Sequence, residues 1–146
     1  MLDEDAAFEA RLLALVRERA PGMSLDGCVR GGAHRFLDEL ERRPAGAAGS
    51  LPCLIQVSPT LRRAWLEALD RYAASLAVAL ADRSPRAVSP PVARVLAAAI
   101  RAVFAMIIDE VGGAMKSDAS VRAVIKKLRG QVDDALERLA PALRSL

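Results

Sequence analysis

His34 is the only histidine, and Cys28 and Cys53 are the only cysteines, in a chain of 146 residues. Nucleophilic, acid–base or metal chemistry would have to be assembled around these three side chains. Cys28 and His34 lie six residues apart, which on one helix directs them to opposite faces and makes a thiolate–imidazole dyad awkward. A zinc site needs several more nitrogen, sulfur or oxygen donors at characteristic spacing, and there is no CxxC and no second histidine. Adjacent acids such as Asp133-Asp134 point in different directions and make no carboxylate pair. GxSxG, P-loop, GxGxxG and HExxH motifs are absent from the sequence. We therefore expect no enzyme, no catalytic residue, no cofactor and no metal. The two cysteines, in apolar surroundings, are expected to be reduced, buried thiols of a cytoplasmic protein.

The residues better suited to binding are few. Trp65 and Tyr72 stand seven apart on one helical face, where they would wall an apolar pocket with a hydroxyl as polar anchor, or form plain core. Phe36 and Phe104 carry the same two readings. Gln56 lies between Ile55 and Val57 in a short apolar run, so its amide needs a partner, either a ligand or a neighbouring backbone carbonyl. Arg101 interrupts the most apolar stretch of the chain. If buried it must meet a carboxylate or an anionic ligand group; a salt bridge across an interface, or exposure, would serve as well. Gly27, Gly31 and Gly32 put bare backbone on one helix, either as space for a ligand or for close helix packing. Lys126, Lys127 and Arg129 form a basic cluster that reads as a solvated face, without the interleaved aromatics of a single-strand nucleic-acid binder.

Six helices must position these residues, and no strand is readable. Hydrophobic residues make up 53% of the chain and charged residues 27%, a globular balance, while aromatics are only 3%, so Leu, Val, Ile and Ala must build the core. The first helix spans about Asp5 to Arg19 and ends at Pro21-Gly22. The second starts from Ser24 as cap and runs to about Arg43. A loop, Pro44 to Gly49, leads to a short third helix, Leu51 to Val57, capped by Ser50. Ser58 and Pro59 begin the fourth, which runs to about Arg83: a hydroxyl satisfies a free N–H, and proline loses nothing at the first helical position. Leu61, Trp65, Leu69, Tyr72, Leu76 and Leu80 line one of its faces. The fifth runs from Pro90, capped by Ser89, to about Val111, where Gly112-Gly113 is expected to stop it. The sixth starts near Ser117 or Asp118 and ends before Pro141. Together they make one domain over residues 1–146.

The fifth helix is apolar around most of its circumference and needs cover on nearly all sides. Two copies of the fifth and sixth helices, packed as a four-helix bundle across a two-fold axis, would supply it. Its apolar stretch, Val92 to Ile108, contains Arg94 and Arg101 and is too short and too charged to span a bilayer. The acidic N-terminus, Met1-Leu2-Asp3-Glu4-Asp5, is unlike a signal peptide. Asp109 and Glu110 lie at a helix C-terminus, where the dipole disfavours them, and Arg122 is the expected compensation.

The run Leu54-Ile55-Gln56-Val57-Ser58-Pro59-Thr60-Leu61-Arg62-Arg63-Ala64, continuing through Glu67, Tyr72 and Leu76-Ala77, resembles the helix-six to helix-seven junction of TetR-type transcriptional regulators. It is most similar to the subgroup with an acyl-CoA-like ligand-binding domain, the mycofactocin-regulator type. The resemblance covers nearly the whole chain and rests on capping and periodicity. It implies an all-α effector-binding and dimerisation domain, a homodimer with a small apolar or acyl-type ligand. The implied ligand set is Cys28, Gly31, Gly32, Phe36, Gln56, Trp65, Leu69, Tyr72, Arg101 and Phe104. The implied dimer seam is Val95, Ala99, Val103, Ile107, Val121, Ile125, Leu128 and Val132. The family's helix-turn-helix head would precede Asp5, where Met1 leaves no room for it, so this chain alone is expected to bind neither nucleic acid nor membrane. The alternative is a helical interaction or structural module without a small ligand.

Overall fold

The computed structural model describes residues 2–19, 22–43, 50–84, 87–117, 119–144 and 146, with side chains from Ala6 onward. Among these residues there are six α-helices and no strand: α1 (Leu2–Arg17), α2 (Leu25–Arg42), α3 (Leu51–Val57), α4 (Pro59–Arg83), α5 (Pro90–Lys116) and α6 (Val121–Arg144). The chain is all-α, as its periodicity predicts. The expected Pro44–Gly49 loop lies outside the described residues.

Capping chemistry sets several of the boundaries. Ser24 Oγ accepts from the Gly27 amide and Ser58 Oγ from the Leu61 amide, each at 3.3 Å, so α2 and α4 start where the sequence places them. Ser50 and Ser89 occupy cap positions without a side-chain cap bond. Ser50 instead directs its hydroxyl to Met115 Sδ at 3.6 Å. Ser120, not Ser117 or Asp118, opens α6, its Oγ accepting from the Ala123 amide at 3.2 Å. Gly22, at φ 80°, supplies the left-handed residue between α1 and α2.

Two stop signals do not stop their helices. α5 continues through Gly112-Gly113 to Lys116. A Cβ at Gly112 would lie 2.1 Å from the Pro52 carbonyl oxygen, so this glycine admits the backbone of α3 against α5. α6 continues through Pro141 to Arg144, where Leu143 is fully buried and holds the last turn on the core.

α5 is the central element, packed against α2, α3, α4 and α6, while α1 lies on α4 and α2, and α2 lies along α6. Its buried face runs Ala93, Leu96, Ala97, Ile100, Val103, Phe104, Ile107, Ile108 and Val111. At 27 residues, with an 18-residue window of mean hydropathy 1.9, α5 is by length and composition able to cross a membrane, which corrects the expectation that its apolar stretch is too short and too charged for that. Of that window, 44% is buried inside the protein.

Candidate functional site

Every aromatic residue of the chain belongs to one cluster. The composition holds three Phe, one Trp and one Tyr. Phe8 stands at the centre, with ring centroids at 5.0 Å from Trp65, 5.9 Å from Tyr72, 6.0 Å from Phe36 and 6.3 Å from Phe104. Three of these pairs meet edge-on, a favoured geometry for aromatic rings. All five side chains are buried. α2, α4 and α5 bring Phe36, Trp65, Tyr72 and Phe104 together, Leu69 is buried in the same core, and α1 contributes the Phe8 that the sequence reading left out of the ligand set. The signal was available: Phe8 is the one further aromatic, on the apolar face of the first helix.

The other expected ligand residues disperse. Gly32 is a packing position, because a Cβ there would meet Leu15 Cδ2 of α1 at 2.5 Å. Gly31 is half-buried, beside Arg35 of its own helix. Cys28 is buried, and its burial pushes the thiol above its ordinary range; Cys53 is half-buried, not buried as expected. Gln56 Nε2 donates to Asp109 Oδ1 at 3.3 Å, so its partner is neither a ligand nor a backbone carbonyl. Arg62 Nη1 donates to the same oxygen at 3.3 Å. Asp109 is thereby held by α3 and α4, and not by Arg122, which reaches Glu41 at 3.5 Å. Arg101 is half-buried, and its Nε is enclosed without a hydrogen-bond partner among the described residues.

A small cleft opens beside the aromatic cluster, between α1, α2, α3 and α5. Its volume is about 60 Å³, and Phe8, Phe36, Leu40, Leu51, Pro52 and Ile108 form its apolar walls, with Arg11 and Arg43 also lining it. The Arg11 guanidinium lies 4.8 Å over the Phe36 ring and makes a two-pronged contact with Glu39, at 3.1 and 2.5 Å. That contact, the largest cause, holds the Glu39 carboxyl below its usual range.

The expected dimer seam divides in two. Val103, Ile107, Ile125, Leu128 and Val132 are each at most 5% exposed within a single chain. They seal α5 and α6 onto their own core and have no surface to offer a second copy, which corrects their assignment to an intersubunit seam. Val95 is 69% exposed, and Ala99 and Val121 are half-buried. The face α5 turns outward carries Val95, Ala102, Met106 and Gly113, at steps of seven, four and seven that keep them on one line. Beside it, Met106, Glu110, Lys127, Gly130, Gln131 and Asp134 border an open groove of about 610 Å³ between α5 and α6. A Cβ at Gly113 or Gly130 would meet nothing within 4 Å.

The only histidine sits in a polar ladder between α2 and α6 that the sequence reading did not foresee. Arg144 pairs with Asp26 (3.3 Å), Arg30 with Glu137 (3.4 Å) and Asp133 (3.2 Å), and Arg129 with Asp38 (2.6 Å) and Glu41 (3.2 Å). His34 Nε2 lies 2.8 Å from Asp133 Oδ1, with Arg129 Nη1 3.5 Å from its Nδ1. Asp133 is held below the usual carboxylate range by the hydrogen bond with His34 first and by Arg30 as well, against its partial burial. Hydrogen bonding to Asp38, the largest cause, raises Arg129. The signal was charge at helical spacing, Arg30, His34 and Asp38 against Arg129, Asp133 and Glu137. Arg129 is therefore a bridging residue, while Lys126 and Lys127 are exposed as expected.

Among the described residues no group of three or more His, Cys, Asp or Glu could hold a metal ion. No protein family model matches the chain, and no curated protein or solved structure matches it.

Proposed function

We propose that this chain is the effector-binding and dimerisation domain of a TetR-type transcriptional regulator, a cytoplasmic protein that works by binding and not by chemistry. A small apolar ligand would shift the populations of two dimer geometries. The observation that carries the dimer is the outer α5–α6 face. Gly113 and Gly130 stand inside helices, each at a cost of up to about 1 kcal/mol relative to Ala, where nothing among the described residues requires a missing side chain. Val92, 50% exposed, and Val95, 69% exposed, extend the same face. A second copy approaching closely gives both glycines and both valines a physical reason.

The charges support the same partner. Lys127 and Asp134 are seven apart on the exposed side of α6, equidistant from Gly130-Gln131. A two-fold axis at that point sets Lys127 of each copy opposite Asp134 of the other, the self-complementarity an isologous interface requires. Burial of the five inner valines, leucines and isoleucines in their own chain is consistent with this, since the bundle then forms from the outer faces of α5 and α6.

The alternative, a helical interaction module with no small ligand, is favoured by the aromatic cluster, whose five rings fill one another's surroundings. Native mass spectrometry of the purified chain, followed by the same sample denatured, separates the two. A dimer that releases a small organic mass on denaturation supports the effector domain. A dimer without such a mass supports the interaction module, and a monomer contradicts both the bundle and the regulator reading.

A further inference from the structure

We propose that Phe8 is a built-in occupant of the effector site, and that the ligand it stands in for is a compact aromatic carboxylate. The inference rests on the effector-binding reading and specifies its site. Phe36, Trp65, Tyr72 and Phe104, from α2, α4 and α5, face a common centre, and the group filling that centre is the side chain of a different helix, α1. The cleft of about 60 Å³ adjoins the Phe8 ring. Joined to the space Phe8 vacates, it approaches the scale of the roughly 150 Å³ apolar cavity that takes up a single benzene ring. A ring fits there; a long acyl chain does not.

The polar end follows from Arg11. It lies one helical turn beyond Phe8, lines the cleft, and presents its guanidinium to a carboxylate already, that of Glu39. A ligand carboxylate exchanging with Glu39 keeps the two-pronged geometry that matches guanidinium to carboxylate, while the ligand ring exchanges with Phe8. The C-terminal end of α1 is pinned by Arg19 donating to the Leu146 carbonyl at 3.1 Å and Arg83 donating to the Arg17 carbonyl at 3.4 Å. Exchange therefore swings the Phe8 end of α1 outward about that anchored end, which makes α1 the element that registers the ligand.

The test uses the full chain with sodium benzoate as probe and benzyl alcohol as its uncharged counterpart. Trp65, the only tryptophan, reports from 5.0 Å away. Benzoate is expected to change Trp65 emission saturably and to speed hydrogen exchange of the α1 amides. Phe8→Ala is expected to bind benzoate at least tenfold more tightly, and Arg11→Gln to lose the preference for benzoate over benzyl alcohol. Phe8→Leu serves in the same assay if Phe8→Ala does not fold, with tighter binding again expected. Equal affinity in wild type and Phe8 variants, or slower exchange in α1, overturns the proposal. Octanoate binding with α1 exchange unchanged would overturn it while leaving the effector reading intact; no binding of either acid to any variant overturns both.

Discussion

Phe8 shows how much a single side chain decides in this molecule. With only five aromatic residues, their gathering into one cluster concentrates large apolar surface at one point between α1, α2, α4 and α5. Phe104 is fully buried there, so Phe104→Ala should cost about 3–5 kcal/mol, read as a lower urea midpoint with an unchanged denaturant slope. Four of the five aromatics could be placed from helical spacing alone. The fifth, Phe8, could likewise be placed on the buried face of α1, but a periodic pattern does not say against which helices that face packs. Gln56 failed in the same way: its amide visibly needed a partner, but the partner, Asp109, is 53 residues away on another helix. Asp26 and Asp133 of the α2–α6 ladder, with Glu39 beside Arg11 of α1, predict a pH dependence. The folded value of Asp133 is lowered by its hydrogen bond with His34 and by Arg30, that of Glu39 by its hydrogen bonds with Arg11, and Asp26, though raised by burial, is lowered overall by hydrogen bonds from Ser24 and Arg144. A lowered folded value means the unfolded chain binds more protons as the pH falls. Their stabilisation is present above the unfolded values, about 4, and is lost as the pH drops through the folded ones. Resistance to urea should therefore weaken progressively below about pH 5, and Asp133→Asn should flatten that decline.

At the scale of elements, the same dipeptide carries two different meanings. Gly112-Gly113 reads as a helix stop, yet α5 passes through it. Gly112→Ala would force a Cβ into the Pro52 carbonyl, and should destabilise by about 1–3 kcal/mol or more, because backbone cannot move aside as a side chain can. Gly113→Ala meets nothing among the described residues and should leave the dilute monomer unchanged or up to about 1 kcal/mol more stable. Denaturation of the two variants, side by side at low concentration, checks the contrast. Sequence reasoning could not see this, since the approach of α3 to α5 is a tertiary event that overrides the local propensity. Pro141 is the parallel case in α6, where burial of Leu143 continues a helix that a proline would ordinarily end. By contrast, the starts of α2 and α4 were legible, because Ser24 and Ser58 act on amides three residues away.

The whole molecule is organised around α5, whose inner face is satisfied by its own chain and whose outer face is not. The apolar circumference of α5 was readable from composition. Which residues face inward was not: Val103, Ile107, Ile125, Leu128 and Val132 have the same periodicity whether they meet their own core or a second copy. Only the packing of α2, α3 and α4 decides that, and it leaves Val95, Ala102, Met106 and Gly113 on α5, with Lys127, Gly130 and Asp134 on α6, to face outward. The central claim is that these outer faces join two copies across an axis at Gly130-Gln131. The most direct measurement is sedimentation velocity of four proteins: wild type, Lys127→Asp, Asp134→Lys and the double exchange. Both residues are exposed, so folding is not at stake. Each single exchange sets like charges opposite one another across the axis and should weaken dimerisation at least several-fold, and the double exchange, which restores opposite charges, should recover it. A monomeric wild type, or four proteins that associate alike, would contradict the account.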